Sequence, residues 1–135
     1  MRYEEEIHNY VQSHKDEMIN MLKELVKIPS VQSEPEEGAP FGRACAEVLE
    51  YINSCWQKNG FDTELHRDGG YLLSYYGEGE KSIGLFSHAD VVSVSDDWVF
   101  TKPFDMIEKD GYLIGRGVSD DKGAIVISLY CAKML

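Results

Sequence analysis

The sequence predicts a single α/β domain in which helices flank a mixed, mostly parallel sheet. Three observations support this class. Helical spacing of apolar residues dominates residues 3–58, extended patterns dominate residues 61–114, and helical spacing returns over residues 121–135. A chain of 135 residues, of which 43% are hydrophobic, has the size and composition to bury one core.

Two amphipathic helices are predicted in the first part of the chain. Apolar and aromatic residues recur there at three- and four-residue steps, which places them on one face of a helix over about residues 3–27, ended by Pro29. The residues of this face are Ile7, Tyr10, Val11, His14, Met18, Met21, Leu22 and Leu25. An acidic, exposed loop is expected over residues 30–38, and a second helix is expected over residues 41–58, with Gly60 as its stop signal.

The pattern changes to extended structure after the second helix. Residues 61–66 alternate between apolar and polar types, and residues 71–76 are rich in β-forming residues. Residues 82–87 are apolar nearly throughout, which predicts a strand buried on both faces of a mostly parallel sheet. His88 follows this strand at its carboxyl end, where open α/β sheets usually place their ligand sites.

The last part of the chain combines a loop, a hairpin and a helix. Residues 98–104 indicate a loop, and residues 105–114 predict a hairpin that turns at Asp110 and Gly111. The final segment is helical from about residue 121 to residue 135. The residues of this helix that are spaced for burial are Ile125, Leu129 and Ala132. No Gly, Asn or Pro ends the helical pattern, so we expect Leu135 to lie inside a longer chain.

Charge and composition narrow the class of partner. A formal net charge of -11 disfavours nucleic acid and anionic membrane surfaces, which attract clustered Lys and Arg. Residues 1–10 contain no apolar core typical of a signal peptide and no stretch approaches the roughly 18 apolar residues of a membrane span, so we expect neither export nor membrane insertion. Cys45, Cys55 and Cys131 match neither a zinc knuckle nor a disulfide framework, so we expect reduced, packed thiols and a cytoplasmic location.

His88, Asp90 and Asp120 are the candidate site residues. His88 and Asp90 lie two positions apart on an extended segment, so both point to one side, and the carboxylate can hold the ring nitrogen that a metal does not use. Asp120 lies in a glycine-flanked turn over residues 115–123, where a carboxylate can bridge two cations about 3.5 to 4 Å apart. Imidazole and carboxylate ligands together suit zinc.

Each half of this pattern also has a simpler interpretation. An H-x-D triplet by itself is more often an ordinary hydrogen-bonded histidine. The glycine-rich turn could cap the last helix through Ser119 or Asp120. Trp98 is interpreted as packing for its loop, and Arg116 and Lys122 as residues that tie the turn to neighbouring backbone or carboxylate groups.

The ordered combination of motifs is more specific than either motif alone. The chain carries LFSHADVV at residues 85–92, then Trp98, then Pro-Phe at residues 103–104, then DGYLIGRGVSDDKG at residues 110–123. This order resembles the dinuclear zinc peptidase and deacylase superfamily, which includes carboxypeptidase G, aminoacylase, acetylornithine deacetylase and the carnosinase-like dipeptidases. The resemblance runs through the whole chain. The APFG, YYGEGE and LYCAKML segments are most similar to the bacterial dipeptidase V branch.

The resemblance implies a role for each candidate residue. His88 would bind one zinc ion, Asp90 would serve catalysis by orienting His88, and Asp120 would bridge two zinc ions. The peptide bond between Asp120 and Asp121 would be cis. Ser93 stands where the family often has Pro, in a loop that supplies no ligand.

The resemblance also implies that residues 1–135 are the N-terminal portion of a zinc-exopeptidase catalytic domain whose sheet is incomplete. The rest of that domain, with a Glu-Glu pair, a further acidic ligand and a final His, would lie beyond residue 135, together with a lid or dimerisation domain. The complete enzyme would hydrolyse dipeptides with a zinc-activated water. The isolated chain would be inactive, bind zinc weakly or not at all, and self-associate through an open sheet edge. The alternatives are a deacylase acting on N-acyl amino acids and a non-catalytic interaction module of the same descent.

Overall fold

The computed structural model describes residues 2–135, with only the backbone described at Arg2, and contains three helices and two short hairpins. The helices are α1 (Arg2–Lys27), α2 (Arg43–Lys58) and α3 (Gly123–Met134). The strands are β1 (Asp62–His66), β2 (Tyr71–Tyr75), β3 (Ile107–Lys109) and β4 (Tyr112–Ile114). The three predicted helices are therefore confirmed. No helix within residues 2–135 has both the length and the apolar character needed to cross a bilayer.

The core lies where the three helices meet. There α1 and α2 each bury one apolar face, whereas α3 is apolar on most of its sides. The buried residues are Leu22, Leu25 and Val26 from α1, Val48, Ile52 and Trp56 from α2, and Ile125, Val126, Leu129 and Tyr130 from α3. Phe61, Ala89 and Met106 join them from the connecting segments. Ala89 lies between two of the candidate site residues, so this core directly supports the site.

The two hairpins pair only within themselves. β1 pairs antiparallel with β2, and β3 pairs antiparallel with β4. The β3–β4 turn has positive φ at both central residues, 52° at Asp110 and 81° at Gly111, as a type I′ turn requires. The hairpin predicted at these two residues is confirmed.

Residues 82–87 do not form the buried parallel strand that their apolar composition predicted. The segment has no regular secondary structure and belongs to no sheet, and Ile83 and Phe86 are 85% and 95% exposed. A cleft of about 870 Å³ separates it from α2 and the β1–β2 hairpin. A strand buried on both faces needs hydrogen-bonding neighbours, and the described hairpins satisfy their own strands instead. The α/β class and the incomplete sheet are confirmed, but parallel pairing is reduced to one bridge between Val31 and Val91.

Truncation of Leu25 tests the assignment of the helical core. Leu25 is 0% exposed, so we expect Leu25→Ala to lower the free energy of unfolding by about 2 to 5 kcal/mol through the lost contacts and the cavity left behind. Ile7→Ala is the matched control on the same helix, because Ile7 is 49% exposed, and its effect should stay within about 0.5 kcal/mol. Urea unfolding followed by circular dichroism measures both. Equal losses of unfolding free energy in the two variants would contradict the assignment of Leu25 to the helical core.

Candidate metal site

His88 is the centre of the candidate site, and both of its ring nitrogens face carboxylates. Nε2 lies 3.0 Å from Oδ1 of Asp120, and Nδ1 lies 3.2 Å from Oδ1 of Asp90 and 3.1 Å from the carbonyl oxygen of Asp90. The backbone N–H of His88 donates to Oδ2 of Asp121 at 3.2 Å. The structure thus brings the three sequence-predicted residues together, and it adds Asp121 as a fourth.

The surrounding carboxylates change the proton affinity of the imidazole. Partial burial of the ring favours the neutral form, but the hydrogen bond to Asp120 and the contacts with Asp90 outweigh that effect and raise the pKa of His88 above its ordinary value. The side chains remain accessible, since His88 is 51% exposed and Asp120 is 87% exposed. An ion or a substrate could therefore reach the Nε2 side of the ring.

The turn over Val118–Lys122 presents Asp120 to His88. Asp120 and Asp121 have non-helical backbone angles, and the peptide bond between them is cis, as the family resemblance implied. The helix α3 that follows has no side-chain cap hydrogen bond, so the interpretation of Ser119 or Asp120 as its cap is not supported. The carboxylate of Asp120 instead points at His88.

Two glycines allow this turn to approach its neighbours closely. Gly117 has a φ of 84°, and a Cβ added there would lie 2.6 Å from Cγ1 of Val91. A Cβ added at Gly123 would lie 2.4 Å from the carbonyl oxygen of Val118. A side chain at Gly117 would push the turn away from the segment that carries His88, and a side chain at Gly123 would distort the turn itself.

The turn is also attached to the end of α1 through a buried lysine. The Lys122 ammonium group donates to the carbonyl oxygens of Leu25 and Ile28, each at 2.8 Å, and the residue is 0% exposed. Burial lowers the pKa of Lys122 to about 8. The sequence-based interpretation of Lys122 as a tie to neighbouring backbone is confirmed.

Ser30 makes the matching attachment for the segment that carries His88. The Ser30 hydroxyl donates to the carbonyl oxygen of Ala89 at 2.7 Å, and the N–H of Val91 donates to the carbonyl oxygen of Ser30 at 2.9 Å. The sequence placed Ser30 at the start of an exposed loop, which is wrong for this residue, since it is fully buried. Its polarity and its position after Pro29 gave no signal of a contact 59 residues away.

Arg116 and Trp98 pack against each other beside the turn. The guanidinium carbon of Arg116 lies 5.5 Å from the centre of the Trp98 ring, within the range of a cation–π contact. The N–H of Arg116 donates to the carbonyl oxygen of Pro103 at 2.7 Å. These contacts are those of a packed loop, as the sequence indicated for both residues.

The donor set fits part of a zinc site. Two ligands of one tetrahedral zinc ion, each about 2.1 Å from the metal, are about 3.4 Å apart. The 3.0 Å between Nε2 of His88 and Oδ1 of Asp120 is close to that separation, so a small movement would admit a shared ion. Within residues 2–135, no group of three or more His, Cys, Asp or Glu side chains is arranged to hold a metal ion. The chain therefore offers two donors where a tetrahedral shell needs four.

Comparison with known proteins relates this geometry to a family. The model of peptidase family M20/M25/M40 matches residues 84–135, the part that contains His88, Asp90 and Asp120. Staphylococcus aureus strains USA300 and Mu50 each have a protein, provisionally named a dipeptidase, that is 33% identical to this chain over 128 residues. These matches support membership of the M20 metallopeptidase superfamily.

The matches also show how much of a relative this chain represents. The alignment to the S. aureus proteins covers 93% of this chain but 27% of each of theirs. The crystal structure of human carnosine dipeptidase 1 superposes with a TM-score of 0.75 and 23% identity, over 96% of this chain and 30% of that one. The human protein therefore supports the fold, and the chain spans little more than a quarter of the length of the S. aureus relatives.

Replacement of the Asp120 carboxylate tests the contact with His88. We expect Asp120→Asn to lower the pKa of His88, because the amide no longer stabilises the imidazolium, whereas Asp110→Asn in the distant β3–β4 turn should leave it unchanged. The folded chain holds the His88 proton more tightly than the unfolded chain. The contribution of His88 protonation to the free energy of unfolding is therefore complete below about pH 6.5. It is lost as pH rises through the pKa of His88 in the folded chain. An NMR titration of the His88 ring measures the shift, and equal titration curves for Asp120→Asn and wild type would contradict the contact.

Proposed function

We propose that this chain supplies part of the active site of a two-zinc dipeptidase. His88, through Nε2, and the Asp120 carboxylate would hold zinc, and Asp90 orients the imidazole from the Nδ1 side. The observation that carries the proposal is the placement of two carboxylates around His88. Asp90 faces Nδ1 and Asp120 faces Nε2 of the same ring. A carboxylate on the far nitrogen is the usual partner of a zinc-bound histidine.

When bound, zinc would supply Lewis-acid chemistry for the hydrolysis of a peptide bond. The chain's own residues prepare for that role. Asp90 fixes the Nδ1–H tautomer of His88, which leaves the Nε2 lone pair free to bind a cation. Asp120 contributes negative charge on the Nε2 side, and its exposure leaves its second oxygen accessible. The general base that removes a proton from the hydrolytic water is not among these residues.

Dipeptides are the substrate class that we propose for the complete protein. The support comes from the two S. aureus relatives, whose provisional names give dipeptidase activity. We further propose that residues 1–135 are the N-terminal portion of the catalytic domain and that the protein resides in the cytoplasm. The remaining ligands and the base then come from outside these residues, because two donors cannot complete two zinc shells. On this proposal the isolated chain binds zinc weakly or not at all and has no peptidase activity.

A chimera tests the proposed function directly. Residues 1–135 replace the aligned segment of the S. aureus USA300 relative, and dipeptide hydrolysis is measured with added zinc, cobalt or manganese. We expect hydrolysis by the chimera and none by the isolated chain. Asp120→Ala should abolish activity, and Asp90→Asn should weaken zinc binding by about 10- to 100-fold.

The control for the chimera is Asp110→Asn, which neutralises an exposed carboxylate in the β3–β4 turn, tolerates the positive φ there and should leave activity intact. A folded chimera that is inactive with every metal would contradict the proposed function. Turnover by the isolated 135-residue chain would contradict the claim that it needs further ligands.

We also propose that the isolated chain self-associates through residues 82–87. This segment presents unpaired backbone and exposed apolar side chains, which together form a template for strand pairing with a second copy. The net charge of -11 opposes association, so added salt should strengthen it by screening.

Light scattering at increasing concentration measures this association. Phe86→Lys should reduce the association, because it places charge within the pairing segment. Phe100→Lys replaces an exposed aromatic residue outside the segment and should have little effect. A wild-type chain that stays monomeric at high concentration and high salt would count against the proposal.

A further inference from the structure

The segment over residues 25–31, at the carboxyl end of α1, contacts both segments that carry the candidate ligands. It supplies no ligand itself. Its backbone receives Lys122 from the Asp120 turn through the carbonyl oxygens of Leu25 and Ile28. Its Ser30 binds the backbone on both sides of Asp90. We name residues 25–31 the α1 anchor.

Each contact lies very close to a ligand along the chain. Ala89, whose carbonyl oxygen accepts from Ser30, lies directly between His88 and Asp90. Lys122 lies two residues after Asp120 in the same turn. A shift of either contact must therefore move a ligand, because one or two bonded residues cannot absorb it.

The burial of both residues makes these contacts specific. Ser30 and Lys122 are each 0% exposed, and they are the buried polar residues of the described chain. A buried ammonium or hydroxyl group without a partner is costly, so each side chain is confined to the place where its carbonyl acceptors lie. Leu25 lies in the last turn of α1, where carbonyl oxygens lack the usual donor of the next helical turn, and Ile28 follows the helix directly. Lys122 donates to both carbonyl oxygens.

We propose that Ser30 and Lys122 are positioning residues, which hold His88 and Asp120 at the separation needed for a shared zinc ion by fixing both ligand segments to the α1 anchor. The metal-binding part of this role rests on the proposed function. Neither side chain contacts a ring nitrogen of His88 or the carboxylate of Asp120, so both act through the backbone.

The experiment measures the ligand separation in the metal-free chain. The nuclear Overhauser cross-peak between the His88 ring protons and the β protons of Asp120 reports whether the two side chains are in contact. We expect Ser30→Ala and Lys122→Met to lose this cross-peak while the cross-peaks among core residues such as Leu25 and Leu129 persist. A role limited to global stability would not remove the one contact and keep the others.

Two matched controls remove the same groups elsewhere. Ser54→Ala deletes a hydroxyl that donates to the carbonyl oxygen of Glu50 within α2. Lys133→Met deletes a lysine of α3 that donates to Asn59. Both variants should keep the cross-peak between His88 and Asp120.

Several outcomes would overturn the proposal. They are persistence of the cross-peak in either folded test variant, its loss in a control, and its absence from the wild-type spectrum. Should Lys122→Met fail to fold, Ser30→Ala decides the test, because it removes one hydroxyl and keeps the backbone bond to Val91. The spectra need no metal. An inactive chimera together with the expected cross-peaks would therefore contradict the proposed function and leave the positioning role of Ser30 and Lys122 in place.

Discussion

The carboxyl end of α1 is the fixed point on which the arrangement of the site depends. Leu25 has two tasks there, since its side chain fills the helical core and its carbonyl oxygen accepts a hydrogen bond from Lys122. Packing of the three helices therefore sets the position of a backbone acceptor, and that acceptor sets the position of the turn that carries Asp120. Stability and site geometry are coupled through one residue.

The opposite side of the site depends on close backbone approach. Gly117 lets the turn come against Val91, and Val91 is itself paired with the chain beside Ser30. The turn, the His88 segment and the α1 anchor thus each contact the other two. A different interaction makes each of these three contacts, which explains how His88 and Asp120 can be exposed to solvent and still have a defined separation.

Local pattern predicted most of the elements, because helices and tight turns are encoded by residues near one another. The helix over residues 2–27 and the turn at Asp110 needed no distant partner. Residues 82–87 were the failure, since an apolar run becomes a strand only when neighbours hydrogen-bond to it. His88, Asp90 and Asp120 were recognisable from residue type, spacing and family likeness. Ser30 was not, because an ordinary serine acquires its role only through a contact with Ala89.

The electrostatics of the site explain why an exposed cluster of acids can remain ordered in a chain of high negative charge. Asp90, Asp120 and Asp121 all direct oxygens at His88, so repulsion among them is offset by the positive charge that the ring can hold. A divalent cation on the Nε2 side would offset that repulsion more strongly than a proton, and it would compete with the proton for the same lone pair. The raised pKa of His88 and the zinc binding proposed for the complete protein would thus be two consequences of one charge arrangement. Binding of a cation by the complete protein would accordingly strengthen as pH rises through that pKa, the opposite of the trend for the proton-linked stability of the chain.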